Sequence, residues 1–301
     1  MKKSKGGIIV LISILSVLAV ALVGLMLWIM IGNRNLFGGF TFGFGNKMST
    51  KLVLDEVYDN TFQYIDLDLD NGDIYLKQSS DDKVHVKVYS DKDKMTSSIS
   101  AEQLAISFKE EAKHTFNFSF RTVRNKIEVY LPKDYKNKIE LINNYGDIVV
   151  DAFLEARFKI VADCGDITLQ GAKTIDIEND YGDIELGTVK VARVHADCGD
   201  ISISKVGELI AENNYGDITI KQVEHYLKLK ADCGDIHLDS VVLGKNSSIK
   251  NSFGDVIIKH ISDVYVDAKT DFGDVDITDN NRKADIVLTI EDDCGDIEVG
   301  K

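Results

Sequence analysis

A single proline stands among 301 residues, so a Pro-rich, disordered stalk cannot account for the chain. Its 23 glycines sit instead among Val, Ile, Asp and Thr, a composition that fits strands joined by glycine turns and favours an all-β fold. Acidic residues are missing from the first 47 positions, which carry five Lys and Arg. The rest therefore holds 30 basic against 49 acidic residues, a net charge of −19 where the whole chain has −14. That surplus makes nucleic acid and anionic lipid poor partners for this part and cationic ones good. Also missing are a nucleophile elbow, a zinc-protease helix and a phosphate loop. Two Ser-x-x-Lys matches, Ser202 with Lys205 and Ser247 with Lys250, are expected in loops rather than at a helix start. No two cysteines lie closer than 34 residues, which excludes a clustered zinc motif.

Between Gly7 and Gly32 no charged residue occurs, and the apolar run 8–31 would extend roughly 36 Å as a helix, past the ~30 Å hydrocarbon layer. Lys2, Lys3 and Lys5 precede this run and only Arg34 closely follows it. The bias sets the N-terminus in the cytoplasm and everything later outside, with Trp28 at the interface. A cleaved signal peptide is the alternative, but cutting after Ala19 or Ala21 would leave 22–31 as an apolar new terminus. The expected order is a tail at 1–6, a transmembrane helix at 7–32, a Gly and Phe linker at 33–50, a β cap region at 51–142 and a repeat region at 143–301.

The repeat is Gly-Asp followed by Ile or Val. One copy, at Gly72, stands apart. The others start at Gly146, Gly165, Gly182, Gly199, Gly216, Gly234, Gly254, Gly273 and Gly295, with steps of 19, 17, 17, 17, 18, 20, 19 and 22 residues. Apolar residues alternate up to each glycine, as in Phe158, Ile160, Ala162 and Cys164, then slip by one before Ile167 and Leu169. Alternation signals a strand and the slip a corner, where glycine supplies backbone angles other residues resist and aspartate can bond nearby amides. A third apolar column, Ala172, Val189, Val206, Val223, Val241 and Ile261, completes one coil. A period this short excludes helical repeats and predicts a parallel β-solenoid of about nine coils stacked ~4.8 Å apart. A β-sandwich is the alternative.

Before each glycine the series runs Tyr145, Cys164, Tyr181, Cys198, Tyr215, Cys233, Phe253, Phe272 and Cys294. Two positions earlier it runs Asn143, Ala162, Asn179, Ala196, Asn213, Ala231, Asn251, Thr270 and Asp292. Asn travels with Tyr and Ala with Cys, which implies a two-coil unit whose bulky and small layers fill one interior. On this reading Cys164, Cys198, Cys233 and Cys294 are buried free thiols, since coils two or three apart separate them by roughly 10 to 14 Å, beyond disulfide reach. Asp147, Asp166, Asp183, Asp200, Asp217, Asp235, Asp255, Asp274 and Asp296 would form a ladder along one edge, beside Asp163, Asp180, Asp197, Asp232, Asp271 and Asp293. The ladder reads as corner-forming aspartate; the alternative is calcium between coils, although the two-glycine β-roll signature is absent. His85, His114, His195, His225, His237 and His260 share no column, no catalytic residue is identified, and no cofactor is implied.

Residues 51–142 also alternate, with longer excursions, as an irregular cap over the first coil would. The chain stops inside its last copy, at Gly295 to Lys301, so the C-terminal coil is expected to be an open edge able to take another strand or self-associate. With Tyr130-Leu131-Pro132-Lys133 leading into the repeats, residues 60–301 resemble the bacterial "putative adhesin" family of β-strand-repeat domains, whose function is unknown. The single N-terminal helix makes the chain similar to the LiaG-type branch of Gram-positive envelope proteins, associated with envelope-stress operons. The resemblance implies a β-solenoid and an outward-facing, non-catalytic domain, and carries over no active-site residue. The expected function is thus an adhesin-like or scaffold domain anchored in the membrane, with an envelope protein, peptide or wall polymer as partner. The alternatives are a calcium-stabilised spacer and a polysaccharide-active β-helix enzyme, though the latter needs acids and a basic residue that break the repeat at one place.

Overall fold

The computed structural model describes residues 51–90, 95–100, 102–108, 125–278 and 280–300; the helix expected at 7–32 and the linker at 33–50 lie outside the described residues. Among the described residues every element is a strand, and no helix is long and apolar enough to cross a membrane. The strands form one continuous, mostly parallel system, a β-solenoid.

A middle coil shows why. Ile184, Leu186, Val189, Ala192, Val194 and Ala196 face inward, each at most 2% exposed, while their neighbours face solvent. Coils stack in register: Ile184 pairs with Ile167 on one side and Ile201 on the other, and Ala192 with Ile175 and Leu209. Each inward position thus becomes an apolar column along the rod, so every coil buries its neighbour's face. Strands Ile167–Tyr181, Ile184–Cys198 and Ile201–Tyr215 each run unbroken for 15 residues. The second bend of these coils is therefore made without leaving the ladder, and only the Gly-Asp corner interrupts it. Both Ser-x-x-Lys matches fall on strands rather than in the expected loops, Ser202 with Lys205 on Ile201–Tyr215 and Ser247 with Lys250 on Ser247–Phe253.

Glycine is required at the corner for two reasons. At Gly199 φ is 137°, and an added Cβ would lie 2.2 Å from the carbonyl oxygen of Gly182. The same close approach links Gly72, Gly146, Gly165, Gly182, Gly199, Gly216, Gly234, Gly254, Gly295 and Gly273 in one file. Gly72 accordingly does not stand apart, since its coil lies directly against that of Gly146.

The two-coil period has a hydrogen-bonding cause. Asn143, Asn179, Asn213 and Asn251 are buried in the corner. Nδ2 of Asn213 donates to the carbonyls of Gly216 in its own coil and Gly199 in the preceding one, at 2.9 and 3.0 Å. Asn143 does the same for Gly146 and Gly72, and Asn251 for Gly254 and Gly234. A carboxamide has two N–H groups, so one Asn serves two coils. The layer between needs no donor, and Ala162, Ala196 and Ala231 fill it.

Chain order and spatial order differ at both ends. The strands Tyr64–Leu69 and Gly72–Gln78, first in sequence to form a coil, lie second in the rod. Outside them lie Gln103–Phe108 and Asn125–Leu131, and inside them Lys138–Tyr145 and the start of Ile148–Cys164. Antiparallel strands finish that end: Lys83–Ser90 on Asn125–Leu131, Lys51–Asp59 on Lys83–Ser90, and Met95–Ile99 on Gln103–Phe108. At the other end, Val287–Cys294 sits between Ser247–Phe253 and Tyr265–Phe272, and Ile297–Val299 between Val256–Ile261 and Val275–Ile277. The last coil in sequence is therefore interior, contrary to the expectation that it forms the open edge. The outermost strands there are Tyr265–Phe272 and Val275–Ile277. Part of that edge is covered: the Asn280 carboxamide accepts from the N–H of Val266 at 3.0 Å and donates to its carbonyl at 2.8 Å, imitating a neighbouring strand.

Candidate functional site: an aromatic and acidic rim

The spatial order restores a regularity that the sequence breaks. Along the rod the residues before the corner run Tyr145, Cys164, Tyr181, Cys198, Tyr215, Cys233, Phe253, Cys294 and Phe272. From the Gly146 coil to the Gly273 coil aromatic and cysteine alternate, because the coil carrying Cys294 is inserted between those carrying Phe253 and Phe272; the Gly72 coil, with Asn71 at this position, lies outside the series.

This column was expected to face inward, and it does not. Tyr145, Tyr181 and Tyr215 are 59–60% exposed, Phe253 58% and Phe272 76%. All four cysteines are free and half-buried rather than enclosed. The inward alternation ends three residues before the glycine, where the Asn carboxamide or Ala methyl occupies the corner, so the next side chain in phase leaves the interior at the rim. Asn travelling with Tyr was visible in the sequence, but layer filling hid its role as the donor that sets the period.

Aspartates flank this file. The backbone N–H of Asp166 donates to Oδ1 of Asp147, that of Asp183 to Oδ1 of Asp166, and that of Asp200 to Oδ1 of Asp183. The relay begins at Asp73 and continues through Asp217, Asp235, Asp255, Asp296 and Asp274, with all distances between 2.8 and 3.2 Å. One carboxylate per coil thus satisfies the next coil's corner amide, a bond from an anion that offsets the repulsion between neighbours ~5 Å apart. Among the described residues no three His, Cys, Asp or Glu side chains gather to hold a metal ion. The second acidic file, Asp163, Asp180, Asp197, Asp232, Asp293 and Asp271, lies on the other side of the aromatic column in sequence.

Lysines mostly bond elsewhere. Glu155 holds Lys173 and Lys190, Glu291 holds Lys250 and Lys269, and Glu212 holds Lys230, all bridging coils on the faces. These lysines keep the Glu155, Glu212 and Glu291 carboxyls below the usual range, chiefly through hydrogen bonds. At the rim, Lys230 and His195 approach Asp232 and Asp197 only to 3.7 Å. The rim is therefore a surplus of negative charge set around exposed rings.

One interior group departs from the pattern. Asp292 occupies the column of the Asn and Ala residues, 3% exposed, paired with Asn251 on one side and Thr270 on the other. Neither carboxyl oxygen has a hydrogen bond of good geometry. Burial pushes its pKa up to about 6, with Asp293 and Asp255 adding to the rise, while the nearby amides of Cys294 and Asp293 restrain it.

Parallel coils closed by Gly-Asp corners define a β-solenoid repeat protein. The sequence matches the Toastrack DUF4097 family over residues 62–207 and 193–300, and the chain belongs to that family. Its fold is similar to that of a "putative lipid binding protein" from Parabacteroides distasonis ATCC 8503, with 14% identity over 86% of this chain and 98% of that one, and a TM-score of 0.52. Further similarity extends to a "putative adhesin" from Bacteroides fragilis NCTC 9343, with 19% identity over 85% and 100% of the two chains and a TM-score of 0.46. Another "putative adhesin", from Parabacteroides merdae ATCC 43184, shows 12% identity over 83% and 97%, with a TM-score of 0.47. At these identities the likeness concerns fold alone. No curated protein matches.

Proposed function

We propose that this chain is a non-catalytic binding scaffold of the LiaG type, held on the outer face of the cell membrane by one helix at 7–32 and contacting an envelope component through its rim. The observation that carries the reading is the file of five exposed aromatics at every second coil, embedded in carboxylates. Isolated exposed apolar residues are ordinary, but a continuous ordered row marks a contact surface. The uncharged stretch 7–32 behind Lys2, Lys3 and Lys5 supports the anchor and its direction. Against catalysis stands the regularity of the corner aspartates, which follow the repeat and accept one backbone amide per coil, while Glu128 with Lys77 and Lys126 and Glu140 with Lys138 and Lys159 form ion pairs along strand faces.

The test is capture of solubilised envelope components by the full chain and by a variant carrying Tyr145→Ser, Tyr181→Ser and Tyr215→Ser. These side chains are mostly in solvent, so the variant keeps its fold. Capture lost in the variant supports the rim as the contact surface; equal capture by both forms rejects it.

A further inference from the structure

We infer that the rim binds a cationic polypeptide in the polyproline II conformation, with one basic side chain seated between each pair of aromatics. The inference rests on the rim being the contact surface and adds the chemistry of the partner. Each cysteine between two aromatic residues makes a notch with a small apolar floor and aromatic walls. Four such notches follow one another, over Cys164, Cys198, Cys233 and Cys294.

Charge is concentrated where the notches are. Every cysteine is preceded by an aspartate and followed two places later by another, as in Asp163-Cys164-Gly165-Asp166. The aromatic positions lack this uniformity, with Asn144, Asn214 and Ser252 before Tyr145, Tyr215 and Phe253. A carboxylate on each side of an apolar floor, between two exposed aromatic residues, suits a guanidinium or ammonium group. Such a cation gains from both the ring quadrupoles and the anions. Two notches are partly served from within the chain, since the Asn214 carboxamide donates to Asp197 at 2.8 Å and Lys230 and His195 stand 3.7 Å from Asp232 and Asp197.

The spacing selects the conformation. Walls two coils apart repeat every ~9.6 Å, given a strand separation of about 4.8 Å. A polyproline II helix turns once in three residues with a rise of about 3.1 Å each, hence ~9.3 Å per turn. The mismatch is about 0.3 Å per step and about 0.9 Å from the first notch to the fourth, which a long basic side chain absorbs. An extended strand presents the same face every ~6.8 Å and misses the second notch by about 3 Å. An α-helix needs two turns, about 10.8 Å, and drifts by about 3.6 Å from the first notch to the fourth. Polyproline II also binds with little ordering cost, because its backbone is already extended in the free state.

The experiment uses the full chain in lipid nanodiscs and fluorescent peptides of equal charge, each with four arginines. They are built as four repeats of Arg-Pro-Pro, of Arg-Pro or of Arg-Pro-Pro-Pro, with four repeats of Gln-Pro-Pro as the neutral control. The three-residue register should bind at least about tenfold more tightly than the other two, and the neutral peptide should not bind. Tyr181→Ser with Tyr215→Ser should remove about tenfold in affinity. Tyr181→Phe with Tyr215→Phe should retain it, because the ring face is kept. Equal binding of the three charged peptides would reduce the interaction to unspecific electrostatics and overturn the inference. So would binding of a β-1,4-linked amino-sugar oligomer by the same rings with no peptide bound. If envelope capture depends on the tyrosines while no peptide binds, the cationic partner is wrong and the rim reading survives; if capture is also independent of them, both fall.

Discussion

Replacing Asp292 by alanine should stabilise the protein above pH 6 and bring no such gain near pH 4, where only the lost packing counts. The carboxyl lies in a layer whose glycine carbonyls are already served, that of Gly254 by Asn251 and that of Gly295 by the Thr270 hydroxyl at 3.1 Å. Apart from the poorly placed amides of Cys294 and Asp293, it therefore meets acceptors where it needs donors. Its pKa rises from 3.8 to about 6, chiefly through burial. Below 3.8 the folded and unfolded chains both hold the proton. Between the two values the folded chain binds more protons than the unfolded one, so stability falls as pH rises, and above 6 the loss is complete. A gap of about two pKa units corresponds to about 3 kcal/mol. Alanine is the residue this layer uses elsewhere, at Ala162, Ala196 and Ala231, so the substitution leaves little strain. Allowing for lost packing of the larger side chain, the expected gain at pH 7.5 is about 1 to 3 kcal/mol. Urea denaturation at pH 4 and pH 7.5 measures it. An equal change at both pH values, or a variant less stable at pH 7.5, would refute the reasoning.

Asn213→Ala should cost about 2 to 4 kcal/mol in the same titration, because two buried carbonyls, those of Gly199 and Gly216, lose their side-chain donor. Gly199→Ala combines a positive φ with a 2.2 Å clash against the Gly182 carbonyl, so thermal unfolding should register a loss of more than about 3 kcal/mol or no folded protein at all. A chain ending at Asp285 lacks the coil that pairs with Tyr265–Phe272, so hydrogen exchange should show 265–277 unprotected although it is still present. All four cysteines lie at the half-exposed rim, so a membrane-impermeant maleimide should label intact cells if the repeat faces outward; labelling only after lysis would place it inside.

The sequence exposed the coil because the signal was repeated. Alternation up to Cys164 and its resumption at Ile167 located a corner, and successive copies removed the ambiguity a single one would carry. The inward columns at Ile184, Leu186 and Val189 follow from that pattern directly. Orientation at the corner itself did not. Tyr145 and Cys164 share the parity of Leu141 and Ile160, and parity alone assigns them to the interior. What overrides it is a three-dimensional requirement, the glycine carbonyl's need for a donor, which commits the corner space to Asn or Ala. The candidate rim was thus present as a list of residues with the wrong face attached to it. Asp292 was visible only as an irregular member of its column, since nothing in the chain reveals that a carboxylate there lacks donors.

The exchange of coil order at the two ends lay beyond sequence reasoning, but its physical logic is plain. A coil at the edge of a parallel rod has one unpaired flank, and such segments fray. Moving the last coil inward gives Val287–Cys294 a partner on each flank. The strand left at the edge, Tyr265–Phe272, continues into further chain on both sides and takes the Asn280 carboxamide as a partial partner. The same exchange places Tyr64–Leu69 inside Gln103–Phe108 at the other end, where antiparallel strands then cover the outer coil. At the C-terminal end it also sets Cys294 between Phe253 and Phe272. The step that protects the rod's edge is therefore the one that completes the alternation along its rim, so the candidate rim and the cap depend on the same strand insertion.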